Sequence, residues 1–95
     1  MIIALDYDNT FTLDPDFWHD FIKKAQEKNH EVLIVTSRWP AKEAHVCEII
    51  TNTFPELTIH FTCKRPKKQV MKELGITINV WIDDSPESIL LGDGR

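Results

Sequence analysis

The stretch IALDYDNT, residues 3–10, decides how the rest of the chain reads. An apolar run, Met1–Leu5, meets two acids spaced one apart, Asp6 and Asp8, followed by Asn9-Thr10. Aspartate is depleted in strands, and burying its charge without a partner is expensive. The strand therefore ends here, and the acids face something that wants negative charge. A turn opening at Asp8-Asn9 accounts for those two residues. It does not account for Asp6, which still abuts the apolar run.

The chain has 95 residues, 42% hydrophobic and 27% charged, with a formal net charge of −4. That is the material of one domain, residues 1–95, with a modest core and little room for a second domain or a long lid. The acidic balance argues against nonspecific binding to nucleic acid or to an anionic membrane. Cys47 and Cys63 form no CxxC pair, so neither a disulfide framework nor a zinc site is expected. Both are read as free thiols of a reducing compartment. No apolar run approaches the roughly 18 residues of a membrane helix. The N-terminus carries no signal-peptide pattern, so the expected location is the cytoplasm, with no membrane partner.

Asp14-Pro15 reads as a helix N-cap followed by a first-turn proline. Phe17, Trp18, Phe21, Ile22 and Ala25 recur at helical spacing, which predicts a helix over 15–29 with Asn29 as its left-handed stop. A second continuous apolar run lies within Glu31–Val35 and ends at Thr36-Ser37-Arg38. Pro40 opens a helix with Ala44, Cys47 and Ile50 or Thr51 on one stripe, and Pro55 closes it. Leu57–Phe61 alternates, as does Ile78–Ile82, and a short helix through Val70, Met71 and Leu74, closed by Gly75, joins them. One helical turn follows the last strand. This β-α-β-α-β-α-β pattern predicts a parallel sheet with helices on both faces. The unbroken runs belong to central strands and the alternating ones to edges, giving the order 3-2-1-4.

In such sheets, sites form beyond the carboxyl ends of the strands. Every strand here ends in a polar group: Asp6 and Asp8, then Thr36, then Lys64, then Asp83 and Asp84. The order 3-2-1-4 sets the two acidic ends side by side. Four carboxylates in one pocket call for a divalent cation, and an all-oxygen donor set suits Mg²⁺. A hydroxyl and an ammonium beside such a metal suit a phosphate. Asn9, Thr10, Ser37 and Arg38, on the same loops, are the candidate substrate contacts.

Asp6-Tyr7-Asp8-Asn9-Thr10 resembles the DxDxT signature of the haloacid dehalogenase (HAD) superfamily. Thr36, Lys64 in CKRP and the acidic VWIDDSPE, residues 80–87, resemble its second, third and fourth motifs in the correct order. The likeness spans the chain and is closest to small HAD proteins of the kind phages carry. It implies a three-layer Rossmann-like HAD core and a Mg²⁺-dependent phosphohydrolase. Asp6 would be the nucleophile, forming an aspartyl-phosphate. Asp8 would protonate the leaving group and then activate water. Mg²⁺ would be held by the Asp6 carboxylate, the Asp8 backbone carbonyl, Asp83 and Asp84. Thr36 would hydrogen-bond the phosphoryl group, and Lys64 would balance its charge.

Asn9 stands where the family usually has glycine; asparagine is the side chain that best tolerates positive φ. Lys67 and Lys68 compete with Lys64, which is preferred because it follows the strand directly and precedes Pro66. Few residues separate Asp8 from strand 2, so no cap domain is expected. An open site suits a large substrate or a second subunit that covers it. The substrate class is a phosphomonoester: a nucleotide, a nucleic-acid end, a sugar phosphate or a phosphoprotein.

Simpler readings stand beside these. Asp84-Ser85-Pro86-Glu87 also suits a helix N-cap, Thr36 an ordinary strand-end hydroxyl, and the basic cluster of residues 64–68 a solvated face. His19, His30, His45 and His60 match no ligand spacing and read as surface or edge residues. Trp18 reads as helix core, Trp81 as sheet face, and Trp39 as packed rather than lining the site. A noncatalytic HAD-like module that binds metal or a partner is the alternative function. A receiver-type phosphoacceptor fits less well, because receivers place adjacent acids first and the lysine last. A nucleotide-binding Rossmann domain lacks its glycine motif here.

Overall fold

β1 (Ile2–Leu5) and β2 (Glu31–Thr36) form the central pair of the sheet, as their unbroken apolar runs require. The computed structural model describes residues 1–40 and 48–92. Two shorter strands flank the pair, β3 (Ile59–Phe61) beside β2 and β4 (Val80–Ile82) beside β1. All neighbours are parallel, and the order is β3-β2-β1-β4, as expected from the sequence. Register aligns Leu5 with Ile34 on one side and with Ile82 on the other. The carboxyl ends of the central strands therefore finish together.

Four helices complete the described chain: α1 (Pro15–Glu27), α2 (Glu48–Thr53), α3 (Lys67–Glu73) and α4 (Glu87–Leu90). Asp14 caps α1, its carboxylate accepting the Phe17 N–H at 3.2 Å, with Pro15 in the first turn. Asn29 has φ 64° just past the helix end, the left-handed stop the sequence predicts. Between β1 and α1 lies a 3-10 turn, Phe11–Leu13, that periodicity did not announce. That turn and α1 are the whole connection from β1 to β2, so no cap interrupts it. Ala44, Cys47 and His45, read above as part of a helix stripe or as surface, lie outside the described residues.

Alternation divides the core into two layers. Ile3, Leu5, Val32 and Ile34 pack against Ile22 and Ala25 of α1 and Ile50 of α2, with Phe54 beyond it. Ala4, Leu33 and Val35 face the other way, against Met71 of α3. Trp18 packs on the first layer and Trp81 on the second, as expected. Trp39 is 47% exposed and joins neither layer among the described residues, unlike the packed side chain expected. His19 is also misread by spacing. It sits in an aromatic cluster, 5.1 Å from the Phe54 ring and 6.0 Å from Phe11, because the helical face that buries Ile22 carries it inward. No described helix is long and apolar enough to cross a membrane.

The layers rank side chains for a direct test. Ile34 is fully buried in the central strand, whereas Leu13 is 74% exposed. Ile34→Ala should cost about 2–5 kcal/mol in urea unfolding. Leu13→Ala should stay within about 0.5 kcal/mol. Similar losses for the two would contradict this core.

Candidate active site

The same alternation decides which acids meet. Ala4 and Trp81 point to the α3 side of the sheet. Two positions further along each strand, Asp6 and Asp83 fall on that side too. The ladder runs on past β1: the Asp6 N–H donates to the Ile82 carbonyl at 3.0 Å, which holds the two strand ends in register.

A lysine joins them. Lys67 Nζ lies 2.9 Å from Asp6 Oδ1 and 2.6 Å from Asp83 Oδ2, with its side chain 2% exposed. Lys67, not Lys64, is the lysine at the acids, which corrects the sequence reading. The reason is geometric. After β3 the chain makes a left-handed turn at Cys63 (φ 54°) and Lys64 (φ 66°), leaving Lys64 exposed. Lys67 then opens α3, and a first-turn side chain leans back toward the helix N-terminus. That direction carries its apolar stem over the sheet and its ammonium to the strand ends. Its place directly after Pro66 was the available signal, since a proline at the helix start marks the first turn. Of the other basic residues, Arg65 pairs with Glu73 at 2.7 Å on the surface and Lys68 is exposed, as a solvated face would be.

Asp84 completes the cluster. Asp6, Asp83 and Asp84 each offer one carboxylate oxygen within 4.8 Å of the others. Thr10 Oγ1 lies between them, 3.4 Å from Asp6 Oδ2 and 3.5 Å from Asp84 Oδ1. Thr10, read as a substrate contact, is buried and organises the acids instead. Asp83 has a second task. Its Oδ1 accepts the Ser85 N–H at 2.9 Å and starts the turn toward α4, but the N-cap of α4 is Pro86 with no side-chain cap, so the simple capping reading holds for neither acid. The buried Ser88 Oγ contacts Asp83 Oδ2 at 3.4 Å, a support that nothing in the sequence marks.

Burial, then the hydrogen bond with Asp84, raise the Asp6 carboxyl against the pull of Lys67, and together they bring it to about 7. The crowding matters for a metal. The donor set is all oxygen, and the carboxylates outnumber the one ammonium among them. A hard divalent cation such as Mg²⁺ fits these residues, because it would compensate the burial of the ionised Asp6 and the crowding of carboxylates around it.

Asp8 stands apart from the triad. Its carboxylate is forked by Arg38, Oδ1 to Nη2 at 2.7 Å and Oδ2 to Nε at 2.8 Å. The expected grouping of the Asp8 side chain with the other acids is thus corrected: the guanidinium, two residues past β2, turns it away. Arg38 itself, expected at a substrate, is on a protein carboxylate. Thr36 is fully buried at the end of β2, and its Oγ1 accepts the Arg38 N–H at 3.3 Å. The Ser37 carbonyl accepts the Lys64 N–H at 2.9 Å, which ties the β2 and β3 loops together. Asn9 does adopt positive φ, 56°, and its N–H donates to Thr12 Oγ1 at 3.0 Å. It serves the turn that returns Thr10 to Asp6.

Compared with known proteins, this chain matches no family model, no curated protein and no solved structure. Function has to be argued from the site itself.

Two measurements follow from the cluster. Lys67→Met leaves Asp6 and Asp83 facing one another buried, and should cost about 3–5 kcal/mol in urea unfolding. Lys64→Met, on the surface, should cost less than about 1 kcal/mol. Equal losses would refute the placement. The second concerns pH. The folded-state Asp6 carboxyl titrates near 7 against 3.8 when unperturbed, so the folded state holds its proton more tightly. Its contribution to stability is full below about pH 4 and lost as pH rises toward about 7. Without Mg²⁺, wild type should therefore lose stability across that interval relative to Asp6→Asn. Mg²⁺, which binds the ionised form, should shrink the difference. Parallel pH profiles for the two proteins would exclude it.

Proposed function

We propose that this chain is a Mg²⁺-dependent phosphohydrolase of the HAD type, hydrolysing phosphomonoesters through an aspartyl-phosphate on Asp6. The observation that carries this reading is the buried Lys67 ammonium held between the two strand-end carboxylates, with a third carboxylate, Asp84, and the Thr10 hydroxyl beside them. A structural ion pair needs one acid per cation; this one is surrounded by more.

The residues divide the work as follows. Lys67 holds Asp6 Oδ1 and so fixes the carboxylate, while Oδ2 meets the Thr10 hydroxyl at 3.4 Å. An Asp6 oxygen attacks phosphorus, and the bond from phosphorus to the leaving oxygen breaks. Asp8 gives that oxygen its proton, so an alcohol departs. Water then attacks the acyl-phosphate, Asp8 takes the water's proton, and inorganic phosphate leaves with the Asp6 carboxylate restored. Thr36 and Lys67 receive the phosphoryl oxygens. Mg²⁺ on Asp6, Asp83 and Asp84 would supply neutralisation of phosphoryl charge. The substrate is a small phosphorylated molecule or a phosphorylated end that enters an uncapped site.

One observation favours the noncatalytic alternative, a module that binds a cation or a partner. Arg38 occupies both oxygens of Asp8, the proposed acid. The two readings part in a single assay. Phosphate release from an aryl phosphate should require Mg²⁺ and be abolished in Asp6→Asn. Lys67→Met should be strongly impaired and Lys64→Met should not. Asp8→Asn should slow an alkyl phosphate by roughly 10²–10⁴-fold and an aryl phosphate by less, since phenolate leaves with less need of a proton. Release unaffected by Asp6→Asn would rule out this nucleophile. Silence over a substrate screen, with Mg²⁺ bound, would leave the noncatalytic module.

A further inference from the structure

We infer that Arg38 is a gate that hands over from Asp8 to the substrate's phosphoryl group, so that phosphate binding itself releases Asp8 for its task. This rests on the phosphohydrolase reading above.

The geometry poses the problem and supplies the answer. A carboxylate whose two oxygens both accept from one guanidinium, at 2.7 and 2.8 Å, presents its outer edge to Arg38 and not to a leaving group. The fork must open for Asp8 to act. What would draw Arg38 away is another oxyanion with two acceptors in a plane, and guanidinium recognises carboxylate and phosphate by the same bidentate geometry. The phosphoryl group of a substrate on Asp6 is such an anion, and it arrives close by. Asp6 and Asp8 are two residues apart on one loop, and the Arg38 backbone is pinned at the end of β2, its N–H donating to Thr36 Oγ1 at 3.3 Å.

The pair is also built to exchange. Arg38 and Asp8 side chains are 28% and 41% exposed, and a partly exposed ion pair is weak enough to trade one anion for another. The guanidinium carbon lies 5.9 Å from the centroid of the Tyr7 ring, an aromatic face that supports the charge as it shifts. Contrast Lys67, whose pairs are almost wholly buried and have no comparable freedom. One cation is fixed in the floor of the site, and the other is held at its rim by a partner the substrate can replace.

The test is inorganic phosphate binding, by calorimetry in Mg²⁺, to the full chain and its variants. Arg38→Ala should weaken phosphate roughly tenfold, the value of a charge-assisted contact. Arg38→Lys should restore only part of that, because an ammonium cannot fork. Asp8→Asn should tighten phosphate by releasing Arg38, and by clearly less when combined with Arg38→Ala, so the two effects are not additive. A merely structural Arg38 would give no such coupling. On the wild-type protein, the Arg38 Nε–H resonance should move when phosphate is added, a readout that survives if a variant fails to fold. Phosphate bound equally by wild type and Arg38→Ala, or additive effects, would overturn the gate alone. A wild type that binds no phosphate in Mg²⁺ would overturn the gate and the phosphohydrolase reading together.

Discussion

A single ammonium between two carboxylates sets the terms for this end of the molecule. Lys67 can reach Asp6 and Asp83 only if α3 begins at the right height over the sheet, and the chain accepts strain to start it there. Cys63 and Lys64 both sit at positive φ, where non-glycine residues cost of order 1–3 kcal/mol each. Backbone hydrogen bonds from Cys63 and Lys64 to the Arg38 and Ser37 carbonyls brace that turn against the β2 loop. From the other side the chain's Gly92 comes so close that a Cβ would stand 2.8 Å from the Lys64 carbonyl oxygen. Two separate segments thus converge on the loop that aims one lysine.

The cluster is costly on its own, and the cost points to use. Breaking one arm of a buried pair leaves a charge without compensation, yet replacing the whole by apolar residues is often neutral or stabilising. A small domain that needed only stability would do better with a hydrophobic plug at the strand ends. Instead the Asp6 carboxyl is buried beside Asp84 and held near the protonated state, poised between a proton and a cation. Perturbed carboxyls of this kind gather where chemistry is done, although ionic networks with a structural role also produce them.

Much of this was legible before any coordinates. The order of the strands follows from contrasting Val32-Leu33-Ile34-Val35, apolar at every position, with Leu57–Phe61, which alternates. Period-two parity alone sends Asp6 and Asp83 to one face, and Asn9 and Asn29 announce their left-handed turns. What resisted reading has a common cause. The choice of Lys67 over Lys64 depends on a turn whose two left-handed residues carry no glycine to mark it. The Asp8–Arg38 fork and the support from Ser88 link residues distant in sequence, and pairwise side-chain geometry leaves no periodic trace. His19 and Trp39 were misjudged in opposite directions, because polarity predicts exposure only where a neighbouring face does not decide it.

The two cations of the site can be understood as answers to the absence of a cap between β1 and β2. A capped site raises the strength of its charges by shutting out water and leaves their arrangement to the closing motion. An open one keeps its charges near water throughout, so the groups that must not wander have to be fixed by the fold. Burying Lys67 achieves this for Asp6, the proposed nucleophile, since its contacts lie in low dielectric whatever happens above them. Asp8 cannot be treated the same way, because under the proposed reaction it has to meet a leaving group that differs from substrate to substrate. A partly exposed fork from Arg38 restrains it without burying it. In the proposed reaction the division between a buried pair and an exposed one is then a division of labour: permanence lies under the phosphoryl group, and exchange lies over it.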